Sequence, residues 1–236
     1  DTFSFDFTDN ANYFEPSTFQ CSQDRPYVDK MVTYLNANHH YLECGTQEQA
    51  DLLIDSVKAH DLPCMADIDS SLLYFCKQVS KSHKVVLTGE CADEIFGGYP
   101  WFYRPEMLES EFFPFIHDPF ARVRLFNKDF VDAEEGYRYL SRIYRADIES
   151  VKTLESDSPA TRVARRATHL STKYFMTNLL ERKDRCSMYN GLEVRVPFCD
   201  YRLVEYAYNM PWELKAWGGR EKGIVRKAFE GILPND

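Results

Sequence analysis

The chain has 236 residues and a formal charge of −9, and 44% of its residues are hydrophobic. This composition argues against a disordered chain, and the acidic charge argues against general nucleic-acid binding because it repels phosphate backbones. No run of about 18 apolar residues occurs, so no membrane span is predicted. The seven cysteines are scattered without a CxxC pair, which predicts free thiols in a reducing cytoplasm and neither a disulfide framework nor a zinc site.

The first hundred residues alternate between strand and helix patterns. Thr2–Phe7 alternates aromatic and small polar side chains, as a half-buried strand does, and residues 40–44 resemble a second short strand. Residues 84–88 form an apolar run without alternation, which is typical of a strand buried on both faces of a parallel sheet. Helical spacing of apolar residues predicts helices around residues 27–35, 52–57 (with Thr46 as a capping residue) and 72–79.

Strand patterns disappear after about residue 105. Residues 137–143, 160–180 and 203–208 all have the composition and spacing of helices. The sequence therefore predicts an α/β fold, with an incomplete parallel sheet in residues 1–104 and an all-helical part in residues 105–236. Because the chain begins at Asp1, directly before a strand pattern, we expect it to be a piece of a longer protein.

The strand at residues 84–88 leads into a segment rich in carboxylates. Ligands in open α/β sheets bind just beyond the carboxyl ends of strands, and Gly89 lets a ring or a phosphate approach the backbone closely. Glu90, Asp93 and Glu94 follow within a few residues. Such a cluster suits Mg²⁺, which takes one or two protein carboxylates together with phosphate oxygens. The alternative is that the acidic residues only complement a helix dipole.

A second segment, residues 182–200, interleaves both signs of charge with apolar residues. The planar fork of Arg182 matches a carboxylate bidentately, which makes Arg182 a candidate for binding a substrate carboxylate. Glu193 and Arg195 are interpreted as a buried support network, and Asp200 as the cap of the helix that follows.

Two glycine pairs mark turns near charged residues. Gly97 and Gly98 predict a flexible turn after the carboxylate segment, and Gly218 and Gly219 precede Lys222. Lys222 is a candidate for delivering a point charge to phosphates, with a solvated surface lysine as the alternative.

These segments, in this order, resemble the asparagine synthetase family. Residues 88–99 resemble the motif S/T-G-E-G-x-D-E-x-F-G-G-Y, and residues 182–200 resemble R-x-D-R-x-S-M-x-x-G-x-E-x-R-x-P-F-L-D. Residues 222–226 with Leu233 and Pro234 resemble K-x-x-L-R…L-P. The likeness extends over essentially the whole chain. Cys91 replaces the usual glycine and Cys199 the usual leucine, and we expect Cys91 to fit only if its backbone is not left-handed.

The family's phosphate-binding loop, S-G-G-x-D-S-S, is not found in these residues. Residues 66–71 contain Asp-Ser-Ser but lack the preceding glycines and lie at the wrong place in the order, so we interpret them as unrelated. The resemblance therefore implies a truncated fold of the adenine nucleotide alpha hydrolase type that starts at the family's second strand. We expect the isolated chain to make no asparagine and to bind ATP–Mg²⁺ weakly, and its exposed sheet edge suggests a homodimer.

The resemblance also implies an activity. In this family, ATP activates the β-carboxylate of aspartate as an acyl adenylate with release of pyrophosphate, and ammonia from glutamine then gives asparagine and AMP. The implied cofactors are ATP and Mg²⁺, the implied location is the cytoplasm, and the implied partner is an amino-terminal glutaminase domain that these residues do not include.

Roles follow for the positions that match the family motifs. Glu90 is expected to be the catalytic carboxylate, which accepts a proton or orients substrate during ammonia attack, and Asp93 is expected to hold Mg²⁺. The remaining positions are expected to contact substrates: ATP at Phe5, Thr88, Gly89 and Lys222, and aspartate at Glu94 and Arg182.

Two alternatives stay open. One is a related ATP-dependent amide-forming enzyme, of the β-lactam synthetase or peptide cyclase type, with the same ATP chemistry and a different acceptor. The other is a non-catalytic fragment that keeps the fold without the activity.

Overall fold

A computed structural model describes residues 1–17, 20–108, 112–121, 124, 126–127 and 129–234 of the chain. These residues form two compact units. Unit 1 comprises residues 1–90, 178–197 and 229–236, and unit 2 comprises residues 91–177 and 198–228. The boundaries of these units differ from the predicted division of the chain into residues 1–104 and 105–236. That division into an α/β part and a helical part stays a prediction.

The secondary structure is mixed α/β, with short parallel strand pairs and many helices. Further short turns of 3-10 helix lie at Pro100–Phe102, Pro197–Cys199 and Trp217–Gly219. The strands are β1 Thr2–Phe7, β2 His39–Cys44, β3 Val85–Leu87 and β4 Glu193–Arg195. The helices are α1 Asn10–Tyr13, α2 Arg25–Leu35, α3 Thr46–Asp51, α4 Leu53–His60, α5 Ala66–Val79, α6 Ala92–Phe96, α7 Pro105–Leu108, α8 Ala133–Ser150, α9 Pro159–Leu170, α10 Thr177–Tyr189, α11 Tyr201–Asn209, α12 Trp212–Lys215 and α13 Gly223–Ala228.

Unit 1 contains two parallel strand pairs. β1 pairs with β2, with Thr2 opposite His39 and Phe7 opposite Cys44. β3 pairs with β4, which lies far along the chain. The three predicted strands are confirmed in position. The expectation that residues 84–88 are buried on both faces is wrong, because β3 pairs with β4 in a two-stranded sheet of the described residues and Val85 and Leu87 are 44% and 72% exposed. The expectation that no strand follows residue 105 is wrong at β4. This strand has a single apolar residue between two charged ones, too short a pattern to indicate a strand without its partner.

The helices of unit 1 surround an apolar core. Cys76 and Val79 of α5 are 1% exposed, and Cys186 of α10 is fully buried against them. The predicted helices are confirmed, but the predicted capping role of Thr46 is wrong. Thr46 is the first residue of α3, and Gly45 occupies the N-cap position without a side-chain hydrogen bond.

Unit 2 is helical in its described residues and has two buried clusters. Ile95 and Phe96 of α6 pack against Ala207 of α11. Trp101 is fully buried, and its indole N–H donates to Ser171 Oγ at 3.1 Å. The predicted helix over residues 160–180 is confirmed as α9 and α10, but Ser171–Met176 between them forms a π-helical segment. None of the helices in the described ranges is long and apolar enough to cross a membrane.

The fold class agrees with the sequence analysis: short parallel ladders belong mainly to the amino-terminal part, and mostly helices follow.

Candidate active site

The carboxyl end of β3 borders a cavity. The Thr88 N–H donates to the Arg195 carbonyl at 3.0 Å, which extends the β3–β4 ladder by one residue. Thr88 lines a cavity of about 570 Å³ together with Thr2 and Phe3 of β1 and Lys183 of α10. A Cβ built on the next residue, Gly89, would meet no atom within 4 Å. The backbone at this strand end is therefore open to close approach by a ligand, and the contact of Thr88 and Gly89 with ATP stays a prediction.

A buried thiol also lines this cavity. Burial raises the pKa of Cys76 to about 11, although the nearby Lys183 ammonium opposes that shift. The thiol therefore stays protonated near neutral pH and serves as an apolar wall instead of a nucleophile.

Glu90 is held by a lysine that the sequence analysis did not identify. Lys183 Nζ lies 2.9 Å from Glu90 Oε1, and the two side chains are only 15% and 22% exposed. The other oxygen, Glu90 Oε2, is buried and has no hydrogen-bond partner in the described part of the chain. Lys183 occupies a position that the family pattern leaves open, so no sequence signal singled it out. The pair places a cation against the carboxylate that we expect to be catalytic.

The two motif departures, Cys91 and Cys199, form a disulfide with Cα atoms 5.9 Å apart. The prediction that all cysteines are free thiols is therefore wrong. The expectation that Cys91 avoids left-handed backbone is wrong too, because its φ is +77°. Glycine is the residue that adopts this conformation without strain, which explains the family's preference at this position. The pairing could not be read from the sequence, because 108 residues separate the two cysteines.

Asp93 and Lys222, assigned to Mg²⁺ and to phosphate, meet in unit 2. Lys222 Nζ lies 2.8 Å from Asp93 Oδ1, and the side chains are 30% and 35% exposed. Gly98 lies against the same carboxylate, since a Cβ on Gly98 would come within 1.7 Å of Asp93 Oδ1. The Gly98 N–H also donates to the Asp93 carbonyl at 2.9 Å. The predicted flexible turn is thus a closely packed one that fixes the position of Asp93.

Glu94, the next residue of the same short helix, is buried, whereas Asp93 is partly exposed. The Glu94 side chain is 1% exposed and accepts a hydrogen bond from the Tyr99 hydroxyl at 2.8 Å. This placement gives Glu94 a structural partner inside unit 2, and its proposed contact with aspartate stays a prediction.

Phe5 and Arg182 share a second cavity of unit 1. This cavity, of about 360 Å³, is also lined by Phe7 and Leu72. Arg182 is 18% exposed, and its Nε lies 3.7 Å from Asp69 Oδ1. The structure therefore brings together a residue expected near adenine and one expected near a substrate carboxylate.

The remaining charged residues of the second motif have structural roles. Arg195 Nε lies 2.7 Å from Glu193 Oε1, but both side chains are more than half exposed, so the predicted buried network is wrong. Asp200 caps α11 as predicted and accepts from the Arg202 N–H at 2.9 Å. Hydrogen bonding to the Arg202 side chain lowers the pKa of Asp200 to about 2.

The expected site residues divide between the units. Unit 1 carries Phe5, Thr88, Gly89, Glu90 and Arg182, with Lys183 as the residue that sequence reasoning missed. Unit 2 carries the others: Asp93, Glu94 and Lys222.

Comparison with known proteins identifies the family. The sequence model of the asparagine synthase family matches residues 1–236. The chain is 43% identical over 235 residues to asparagine synthetase [glutamine-hydrolyzing] 3 of Bacillus subtilis, a match that covers 100% of this chain and 38% of that protein. It is 30% identical to asparagine synthetase [glutamine-hydrolyzing] 1 of the same organism, over 72% of this chain and 32% of that protein. A hamster enzyme (Mesocricetus auratus) of the same description is 24% identical over 91% of this chain and 30% of its own length.

The chain thus spans well under half the length of these relatives. The family model matches all of its residues, and its motifs and fold indicate the same family. The chain belongs to the asparagine synthase family.

Proposed function

We propose that this chain is the synthetase part of a glutamine-hydrolysing asparagine synthetase. Such an enzyme adenylates the β-carboxylate of aspartate with ATP and releases pyrophosphate; ammonia from glutamine then attacks the adenylate, which gives asparagine and AMP. Family membership and the names of the relatives support this reaction class. The observation that carries the proposal for these residues is the contact between Asp93 and Lys222.

That contact has the charge pattern of a site for a metal-bound diphosphate. A carboxylate and an ammonium 2.8 Å apart can exchange partners when such an anion binds. The cation then contacts phosphate oxygens while the carboxylate contacts the metal, so both charges remain compensated. Because both side chains are about one-third exposed, this exchange needs no burial of an unpaired charge.

The donor set around Asp93 suits Mg²⁺. This cation takes one or two carboxylates and fills its remaining positions with water and phosphate oxygens. Asp93 supplies one such carboxylate, held in place by Gly98. When bound, Mg²⁺ would screen the negative charge that develops on the pyrophosphate leaving group. Lys222 would bring a second positive charge to the same group.

Glu90 is proposed to act at the acyl group. Its Oε1 is paired with Lys183, whereas its Oε2 is buried without a hydrogen-bond partner among the described residues. An unsatisfied buried carboxylate oxygen can accept a proton from the attacking ammonia or orient the substrate amine. Thr88 and Gly89, directly before it, leave the open backbone against which the nucleotide would lie.

Phe5 and Arg182 extend the proposed site. The cavity they share would accept a flat ring beside Phe5 and a carboxylate beside the guanidinium of Arg182. Glu94 is proposed to support α6 through its hydrogen bond from Tyr99, and its contact with aspartate stays a prediction from the family resemblance.

We also propose that the phosphate-binding loop and a glutaminase domain lie elsewhere in the complete protein. The space between β1 and β3, where the cavity of about 570 Å³ lies, would accommodate a further strand of the sheet. Without the backbone amides of such a loop, the 236-residue chain should bind ATP–Mg²⁺ only weakly and make no asparagine. Calorimetric titration that gives micromolar ATP affinity would contradict this statement.

The test is pyrophosphate release by the complete protein. Aspartate, ammonia and ATP–Mg²⁺ should release pyrophosphate and form asparagine, and Glu90→Gln should lower the rate by about 10²- to 10⁴-fold. Glu48→Gln, which changes an exposed glutamate of the same unit outside the family motifs, is the matched control and should keep full activity. If a larger carboxylate replaces aspartate as the preferred substrate, the chain has the alternative β-lactam synthetase or peptide cyclase activity. If the complete protein forms no amide from aspartate or from a larger carboxylate, it is the non-catalytic alternative.

A further inference from the structure

A side-chain cluster with no role in the proposed synthesis joins α4 to α5 and adjoins Arg182 through Asp69. His60 is the last residue of α4, Cys64 lies in the connection, and Asp69 is in the first turns of α5. One ligand atom from each residue lies within 4.8 Å of the other two. All three residues belong to unit 1.

Hydrogen bonds leave His60 as a metal-binding tautomer. Its Nδ1 lies 2.8 Å from the Ser56 carbonyl, which can only accept, so Nδ1 carries the proton. The lone pair is therefore on Nε2, which is buried and has no hydrogen-bond partner in the described ranges. A histidine ligand is usually fixed in this way, by donation from its other nitrogen to a carbonyl.

Asp69 presents a second unsatisfied atom to the same space. The residue is 2% exposed, and its Oδ2 accepts from the Met65 N–H at 2.7 Å. Its Oδ1 is buried, and no donor among the residues described meets hydrogen-bond geometry with it, although the Cys64 thiol interacts with the Asp69 carboxylate. Arg182 lies near Oδ1, but the distance of 3.7 Å is too long for a hydrogen bond. A buried oxygen of this kind requires an explanation, and a bound cation is one.

We propose that His60, Cys64 and Asp69 bind a divalent transition-metal ion of the zinc class. One nitrogen, one sulfur and one oxygen form a donor set that suits zinc and cobalt, whereas Mg²⁺ requires oxygen donors. The Cys64 thiol loses its proton to solvent when its sulfur binds the metal, and the fourth position is left to water or another small ligand.

The geometry and charge balance support this assignment. In an occupied tetrahedral site, ligand atoms lie roughly 3.3–3.8 Å apart, so atoms that now lie within 4.8 Å of one another need to move together by about 1.5 Å at most. Cys64 lies in a short connection between helices, which can make this movement. One thiolate and one carboxylate neutralise a divalent ion, so Arg182 is no longer needed to balance Asp69.

Cobalt spectroscopy of the 236-residue chain tests the proposal. Co²⁺ added under argon, without thiol reagents, should produce a thiolate-to-cobalt charge-transfer band that saturates at one equivalent. Zn²⁺ should displace the band, and excess Mg²⁺ should not. Cys64→Ser should remove the band, whereas Cys21→Ser, which changes an exposed free thiol, should keep it. Absence of the band in the unchanged chain, or its persistence in Cys64→Ser, overturns the proposal.

A second variant distinguishes loss of metal binding from loss of folding. His60→Gln leaves the pair of Asp69 and Arg182 in place, so the unliganded chain should melt near the wild-type temperature. Zn²⁺ should raise the melting temperature of the wild type but not of His60→Gln, and zinc affinity should fall at least about tenfold. Equal zinc stabilisation of both chains also overturns the proposal. Neither readout depends on synthetase activity.

Discussion

Lys222 Nζ lies 2.8 Å from Asp93 Oδ1, so a lysine of the third family motif is paired with a carboxylate of the first. Both residues were candidates for a nucleotide site from the local sequence pattern and from the family resemblance, and the fold brings them into contact within one unit. The first prediction concerns this pair.

Lys222→Met and Asp93→Asn should each lower the rate of asparagine synthesis by the complete protein about 10²-fold or more, because each removes one charge of the proposed diphosphate site. The pair is partly exposed, so the melting temperature should change little. Pyrophosphate release and thermal unfolding measure the two effects. Lys227→Met, which removes a cation of α13 outside the family pattern, is the control and should keep activity. Retained activity in Asp93→Asn would refute its role as a metal ligand.

The two glycines of the first motif should respond differently to alanine. Gly98→Ala places a Cβ within 1.7 Å of Asp93 Oδ1, so it should displace the carboxylate and lower both stability and activity. Gly89→Ala meets no atom within 4 Å, so stability should stay near wild type. If a nucleotide uses the space beside Gly89, KM for ATP should nevertheless rise. Equal KM values for Gly89→Ala and the unchanged protein would place the nucleotide elsewhere.

Lys183→Met should destabilise the chain by about 2 kcal/mol, because it leaves the largely buried Glu90 carboxylate without its cation. Denaturant unfolding measures the loss. Lys183→Arg should recover most of it, and the double variant Lys183→Met with Glu90→Gln should be more stable than Lys183→Met alone. A Lys183→Met chain as stable as wild type would show that the contact contributes nothing to folding.

Reduction of the disulfide should destabilise the chain by about 4–5 kcal/mol in the chain-entropy account, because the bond closes a loop with a sequence separation of 108. Unfolding with and without a reductant measures this difference. Under reducing conditions Cys91→Gly should be about 1 kcal/mol more stable than wild type, since glycine tolerates the φ of +77°. Cys21→Ser, at an exposed free cysteine, should not change the response to reductant. An unchanged melting temperature after complete reduction would contradict the prediction.

The buried Lys215 should make the free energy of unfolding depend on pH. Burial, reinforced by the nearby Arg165, lowers the pKa of Lys215 to about 8. Between about pH 8 and the unfolded value of 10.5, the unfolded state therefore binds more protons, and stability contributed by this group should rise with pH. Lys215→Met should be more stable than wild type at pH 7, by about 3 kcal/mol at most, and should lack that rise. Parallel denaturant curves at pH 7 and pH 10 measure both effects, and identical pH responses of the two chains would contradict the prediction.

The local sequence determined the parts of this protein that depend on periodicity and on motif order. Alternating aromatic residues indicated β1, helical spacing indicated α5 and α11, and the motif at residues 88–99 indicated the family. Asp200 was recognisable as a cap because a cap and its helix are adjacent in the chain.

Only the tertiary structure decided the contacts between distant segments. β4 has too few residues to carry a pattern and exists because β3 pairs with it. The bond between Cys91 and Cys199, the pairing of Lys183 with Glu90 and the buried position of Glu94 likewise follow from packing. A side chain's neighbours in space depend on how the whole chain folds, whereas its secondary structure depends largely on the residues beside it. Periodicity therefore revealed the elements, and only the folded chain revealed which charges and thiols they bring together.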